Sequence, residues 1–333
     1  MAYRPATSGP NWLGTPGRLT LVVLILAESE VVDLVDLKSA MLAFKRVFEQ
    51  QAHDQLVAWP PQHLTGLGAS LQVRTGHLAG QGRLGVRTST SYDNPAYCLL
   101  YDTRGRSLAW MGYPFSEIRL YASVGLGIDQ LAKPGAGRVA ILGSGERALG
   151  MLQAARAVRP IQEISVYSPT AEHRRRFAAV AQQDLDVPTI AVDDPREAVG
   201  EADVVIVITN AHSPALLGAW LPPECLVVSG GTRMEVDEEV YARAGLVVTT
   251  SRDQELGGNQ ASDGWTLVRM TRSGRIEAED IVELGQVVVG NVKPAAGINA
   301  FREPQGGFTD IALASLAYDR AVELGRGTEV DMA

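Results

Sequence analysis

The spacing of apolar positions along the chain changes character near residue 130. Before that point, short runs rich in β-branched and aromatic residues alternate with polar breaks: "LTLVVLILA" at 19–27, "LGASLQVRTG", "GRLGVRTSTSY" and "AYCLLYDTRGRSLAWMG". These runs predict strands, and Asp102 to Gly105 inside the last of them predicts a hairpin turn. Between the first two, "ESEVVDLVDLKSAMLAFKRVFEQ" repeats its apolar residues at helical spacing and predicts one amphipathic helix. A second helix, "SEIRLYASVGLGIDQLA", is predicted to stop at the breaker "KPGAG". From Arg138 onward strand and helix take turns: "RVAILG", "ALGMLQAARAV", "EISVYS", "AEHRRRFAAVAQQ", "DVVIVIT", "CLVVSGG", "GLVVTTS". Near-continuous apolar strands separated by helices predict a parallel sheet covered on both faces, an α/β architecture. The tail "FTDIALASLAYDRAVELG" predicts a closing helix with Ile311, Ala314, Leu316, Ala317, Ala321 and Leu324 on its apolar face and Thr309 or Asp310 at its cap.

Length and charge narrow the function classes. A chain of 333 residues fits two domains at about 150 residues each. A hydrophobic share of 46% against 20% charged is ordinary for a globular protein. The net charge of -8, with few lysines among 30 basic residues, argues against a binder of nucleic-acid backbones. The apolar run at 19–27 is too short to span a membrane. Because it passes directly into an amphipathic pattern, it reads as a first strand behind a disordered extension, residues 1–18, rather than as a signal peptide. Cys98 and Cys225 sit in apolar runs and read as buried thiols of a reducing compartment, so the expected location is cytoplasmic. The five histidines, His53, His63, His77, His173 and His212, have no metal-site spacing, and HExxH, P-loop and nucleophile-elbow patterns are absent.

The strongest local signal is "RVAILGSGERALG". Gly143, Gly145 and Ala148 form G-x-G-x-x-A with an apolar strand before it, a helix after it and a second strand closing the unit, which is the context a dinucleotide site requires. Gly143 permits a tight turn, Gly145 admits a pyrophosphate to the backbone, and Ala148 lets helix and strand pack closely. Ser144, Glu146 and Arg147 fill the loop at the helix N-terminus, where free N–H groups attract an anion. Thr209 and Asn210, closing the strand "DVVIVIT", are expected on the same cofactor. About twenty residues past the glycines, an NAD site offers a carboxylate to the ribose, whereas this chain has Ser168. Hydroxyls at Ser168 and Thr170 with Arg174 or Arg175 suit a 2′-phosphate, so NADP(H) is expected in preference to NAD(H). The competing reading of "EHRRR" is a solvated helix face.

Several stretches, in this order and spacing, resemble the ornithine cyclodeaminase and mu-crystallin family: "LILAESEVVDLVDLKSAMLAFKRVFEQ", "LGVRTSTSYDNP", "LLYDTRGRSLAWM", "SEIRLYAS", "VAILGSGERA", "EADVVIVITNAHSP", "VVSGGTRMEVDEE" and "ELGQVVVG" through "INAFREPQGGFTDIALASLAYDRAVELG". The resemblance implies a Rossmann domain, residues 131–299, inserted into a discontinuous domain of residues 19–130 and 300–333 that binds substrate and forms a homodimer. It also implies chemistry on a small imino, amino or keto acid with a nicotinamide cofactor. The chain departs from the family pattern at four places. Thr232 stands where cyclodeaminases carry an aspartate, which is closer to the mu-crystallin and ketimine reductase form. Arg87 replaces a lysine and can bind but not donate a proton. Gln62 stands near an expected arginine, and Leu120 follows the retained Arg119 in place of threonine.

What remains is a carboxylate clamp of Arg119 and Arg87, with Arg74 as a further candidate and Thr232 and Arg233 lining the cleft. The expected reaction is hydride transfer between nicotinamide and the substrate α-carbon, with Asp310 or water as proton source unless Asp310 is only a cap. The alternatives are a redox-neutral cyclodeaminase, disfavoured by Thr232, and a dinucleotide-dependent binding protein without catalysis.

Overall fold

A computed structural model describes residues 22–66, 68–90, 96–257, 261–304 and 306–332. The extension expected at 1–18 lies outside these residues, as do 19–21 of the first apolar run.

The chain forms an α/β structure around two sheets. The first takes its spatial order from Thr328–Asp331, Val22–Leu26, Ser107–Gly112, Ala96–Asp102, Arg83–Thr90, Ala69–Leu78 and Leu56–Val57, with Gln62–Gly66 also pairing on Ala69–Leu78. All neighbours in it are antiparallel except Val22–Leu26 beside Ser107–Gly112. The expected hairpin joins Ala96–Asp102 to Ser107–Gly112, with Gly105 at φ 81° and the Asp102 carboxylate accepting from the Arg104 and Arg106 N–H groups. The expected single helix after the first strand is broken into Glu28–Val31 and Leu37–Ala52, because Asp36 caps the second piece by accepting from Ser39 N–H at 2.7 Å.

The second sheet is wholly parallel, in the order Thr189–Ala191, Glu163–Tyr167, Arg138–Leu142, Val204–Val207, Cys225–Ser229, Ile298–Arg302, Leu246–Thr249 and Ile281–Glu283. Strand Ile298–Arg302 lies between two earlier strands, so the expected domain boundary at 299/300 falls inside this sheet. Sequence pattern missed that strand because it has only five residues and includes Asn299 and Arg302. The order reverses between Arg138–Leu142 and Val204–Val207, and this switch point opens a crevice at the carboxyl ends of the strands.

Helix Ser116–Leu131 joins the two sheets and is buried along most of its length. A Cβ at Gly127 would lie 2.4 Å from the Phe301 ring, so glycine there is what lets the helix sit against the second sheet. The closing helix Gly307–Leu324 lies on the first sheet in the same way: Cβ atoms at Gly76 and Gly85 would meet Phe308 at 2.8 Å and Ile311 at 3.0 Å. Cys98 and Cys225 are free and buried, as expected. Among the described residues no helix is long and apolar enough to cross a membrane.

Candidate active site

The crevice at the switch point is a cavity of about 990 Å³ lined by Gly143, Ser144, Gly145, Glu146 and Arg147 on one side and by Thr209, Asn210 and Gly231 on the other. A volume at the upper end of the range for ligand pockets suits a dinucleotide. The chain is built for close approach here. Gly143 has φ 119°, donates its N–H to the Tyr167 carbonyl at 2.9 Å, and would place a Cβ 2.1 Å from the Ile208 carbonyl oxygen. A Cβ at Gly145 would meet nothing within 4 Å, so its outer face is open toward an incoming group. Helix Ala148–Val158 starts directly behind the loop, and the N-terminus of a helix attracts an anion. The loop therefore fits the pyrophosphate of a dinucleotide.

At the far end, Ser144 Oγ donates to Ser168 Oγ at 2.9 Å, and both residues line the cavity. Thr170 is exposed outside the lining, and its side chain makes no cap bond to helix Ala171–Leu185. Arg174 corrects the expectation placed on it. Its guanidinium is turned inward, donates to the Ser168 carbonyl at 3.1 Å, lies over the Tyr167 ring and pairs with Asp193. It braces the loop and is not available to a phosphate. Arg175, the next residue, is exposed.

A second constellation lies where the closing helix meets the first sheet. Arg74 and Arg87 are direct cross-strand partners on adjacent strands. Like charges placed opposite each other repel unless a counter-charge intervenes, and Asp310 supplies it. The carboxylate of Asp310 is 3.0 Å from Arg119 Nε, 3.8 Å from Arg74 and 3.9 Å from Arg87, and it is 0% exposed. The expected cap role of Asp310 is thereby overturned. The helix cap is Gly306, whose carbonyl accepts from the Thr309 hydroxyl at 2.6 Å, and Asp310 stands one turn inside. Arg87 is held further by the Ser116 hydroxyl at 3.0 Å and by the Tyr113 ring.

Burial, followed by the neighbouring Arg119 cation, pushes Arg74 down to about 10. Burial also works against Arg119, yet the Asp310 carboxylate, with Tyr113 and Glu303 behind it, holds that guanidinium above its ordinary value. Three cations thus share Asp310, while Glu303 acts on Arg119 and also on Arg233 and Arg302.

Between this cluster and the crevice runs a network that pattern reading did not find. Arg233 Nε donates to Glu255 at 3.1 Å and its guanidinium lies 4.1 Å over the Trp265 ring. Arg302 bonds Glu255 at 3.4 Å and the Gly231 carbonyl at 2.9 Å. Burial, followed by the Arg74 and Arg233 cations, holds the His63 imidazole below its ordinary value. The hydroxyl of Thr232 donates to the Ala211 carbonyl at 2.5 Å. Gln62 faces away, donating to the Pro60 carbonyl at 2.9 Å. Among the described residues no group of His, Cys, Asp and Glu is arranged to hold a metal ion.

With this geometry in place, comparison with known proteins is informative. The profile of the Ornithine cyclodeaminase/mu-crystallin family matches residues 67–325. The chain belongs to that family. It is 30% identical over 235 residues to a Delta(1)-pyrroline-2-carboxylate reductase of Bacillus cereus, covering 68% of this chain and 71% of that one. It is 24% identical over 330 residues to the iminosuccinate reductase of Paracoccus denitrificans, covering 93% and 100%. Among solved structures, the Thermococcus litoralis Delta(1)-pyrroline-2-carboxylate reductase in complex with NADH and L-proline superposes with a TM-score of 0.81 at 25% identity, over 92% of this chain and 100% of that one. Family membership was legible from the ordered stretches alone. The glycine loop was legible from its strand and helix context. The partnership of Arg74, Arg87 and Arg119 around Asp310 was not, since its members lie up to 236 residues apart.

Proposed function

We propose that this member of the ornithine cyclodeaminase/mu-crystallin family is an NAD(P)H-dependent reductase of a small α-imino acid. The observation that carries the reading is the charge of the buried cluster. Arg74, Arg87 and Arg119 gather on the single carboxylate of Asp310, so the cluster is cationic. Buried cations of this kind are costly, and a substrate carboxylate offsets the cost by charge-assisted hydrogen bonds.

A bound reduced nicotinamide supplies hydride to the α-carbon of the imine. The chain's own part is to fix the carboxylate through Arg119, Arg87 and Arg74 and to hold the carbon against the crevice wall, so that positioning contributes much of the rate. Asp310, enclosed by three guanidiniums, serves as their counter-ion, so the imine nitrogen takes its proton from water. Thr232 argues against the cyclodeaminase reading, because its hydroxyl is spent on the Ala211 carbonyl and it has no carboxylate to hold an amine.

NADP(H) is the proposed cofactor. Among the described residues Glu146 is the one acidic residue in the cavity lining, it belongs to the glycine loop, and the other end offers the Ser144 and Ser168 hydroxyls. Arg175 replaces Arg174 as the proposed partner of the 2′-phosphate. The proposed working unit is a homodimer formed through the first sheet.

The test follows loss of reduced-nicotinamide absorbance with a panel of cyclic imino acids, iminosuccinate, and α-keto acids with ammonia or methylamine. Imine-dependent oxidation of NADPH is the expected result. Tight dinucleotide binding without turnover on any of them sinks the reductase reading.

A further inference from the structure

Glu235 is among the most enclosed carboxylates of the chain, 1% exposed, and neither the clamp nor the glycine loop accounts for it. Its Oε2 accepts from Thr209 N–H at 2.7 Å and from the Thr209 hydroxyl at 3.0 Å, and its Oε1 accepts from Gly231 N–H at 2.8 Å. Thr209 and Gly231 follow the adjacent strands Val204–Val207 and Cys225–Ser229, beyond the bond from Gly230 N–H to the Val207 carbonyl. Both residues line the crevice. A Cβ at Gly231 would lie 2.3 Å from Glu235 Oε2, so glycine is needed there for the carboxylate to come this close. The side chain is thus a strut between two strand ends that form one wall of the cavity.

We infer that Glu235 is a positioning residue for dinucleotide binding, whose ionised carboxylate holds Thr209 and Gly231 in the wall of the crevice and whose neutral form releases them. This rests on the dinucleotide reading given above. The reason is one of acceptor count: two carboxylate oxygens satisfy three donors, whereas a protonated oxygen becomes a donor itself and leaves an N–H group facing it without an acceptor.

The surroundings place the change near neutrality. Burial pushes Glu235 up to about 7, opposed by Arg302 and by the Thr209 and Gly231 donors. Arg302, on strand Ile298–Arg302, stands 3.7 Å away and is shared with Glu255 of helix Arg252–Leu256, whose other partner is Arg233. Tyr241, from helix Glu238–Arg243, also faces this group. Dinucleotide affinity is therefore expected to weaken as pH falls through about 7.

The strut has the opposite effect on stability. The folded protein holds the Glu235 proton up to about 7, the unfolded chain only to 4.5, so between these values the folded state binds more protons. Stability then falls as pH rises across that window, and this loss disappears when the group cannot ionise.

The experiment titrates NADPH and NADH into the full-length protein by fluorescence across the neutral range, for the wild type, Glu235→Gln and Thr209→Val, with thermal unfolding of each without cofactor. Expected is a wild-type affinity that drops by about tenfold on acidification, as for one lost bond to a charged acceptor. Glu235→Gln should bind weakly and with a flat pH profile while unfolding no earlier than the wild type above neutrality. Thr209→Val removes one donor and should move the midpoint upward, which keeps the test open if Glu235→Gln does not fold. Equal affinity and equal pH profile for wild type and Glu235→Gln, or an unmoved midpoint in Thr209→Val, overturns the inference. Failure of the wild type to bind either dinucleotide at any pH overturns the cofactor reading, and the inference falls with it.

Discussion

Asp310 illustrates how the surroundings of one residue differ between the sequence and the fold. In sequence it is an acidic residue at the start of a helix, where a cap or a favourable dipole contact is the ordinary explanation. In the fold it is the shared anion of Arg74, Arg87 and Arg119. Removing one member of a buried charge group leaves the others uncompensated, at a cost of about 3–5 kcal/mol. Asp310→Ala should lower unfolding free energy by that order in urea titration, although it deletes no large apolar group. A loss within the range of a surface substitution, about 0.5 kcal/mol, contradicts the ion cluster as drawn.

At the scale of elements, the loop after strand Arg138–Leu142 separates two demands made on glycine. Gly143 is required by the fold itself, since φ 119° and the approach of the Ile208 carbonyl exclude a side chain. Gly145 meets nothing within 4 Å and is required only if something else comes close. Gly145→Ala should therefore unfold within about 1 °C of the wild type, as expected for a change that creates neither clash nor cavity, yet lose dinucleotide affinity. Measuring melting temperature and cofactor titration on the same sample checks both halves. Affinity retained alongside normal folding removes the loop from the cofactor site.

At the scale of the whole molecule, exposed aromatic residues on the first sheet bear on assembly. Tyr97 and Trp110 on adjacent strands of the first sheet are 46% and 50% exposed, with their rings 6.4 Å apart. Aromatic residues are enriched at protein interfaces, which makes this pair the expected place of the proposed dimer contact. Light scattering behind size exclusion should give twice the chain mass of 35.6 kDa, and Trp110→Arg should shift the species toward monomer. A wild type that runs as a monomer at micromolar concentration contradicts the proposed homodimer.

Sequence alone determined what local chemistry controls in this protein. The alternation of apolar strands with helices marked a parallel sheet, "GSGERA" in its strand and helix context marked a dinucleotide loop, and Asp102 to Gly105 marked a hairpin, because periodicity and turn residues act over a few positions. Tertiary structure decided whatever depends on partners distant in the chain. It placed strand Ile298–Arg302 between two earlier strands. It turned Arg174 inward to Asp193 while leaving Arg175 exposed, a choice between neighbouring residues that no pattern distinguishes. It also brought Glu235 under Thr209 and Gly231, and set Arg74 opposite Arg87 with Asp310 beside them. Buried charges are stable only with their partners, and packing, not spacing along the chain, brings those partners together.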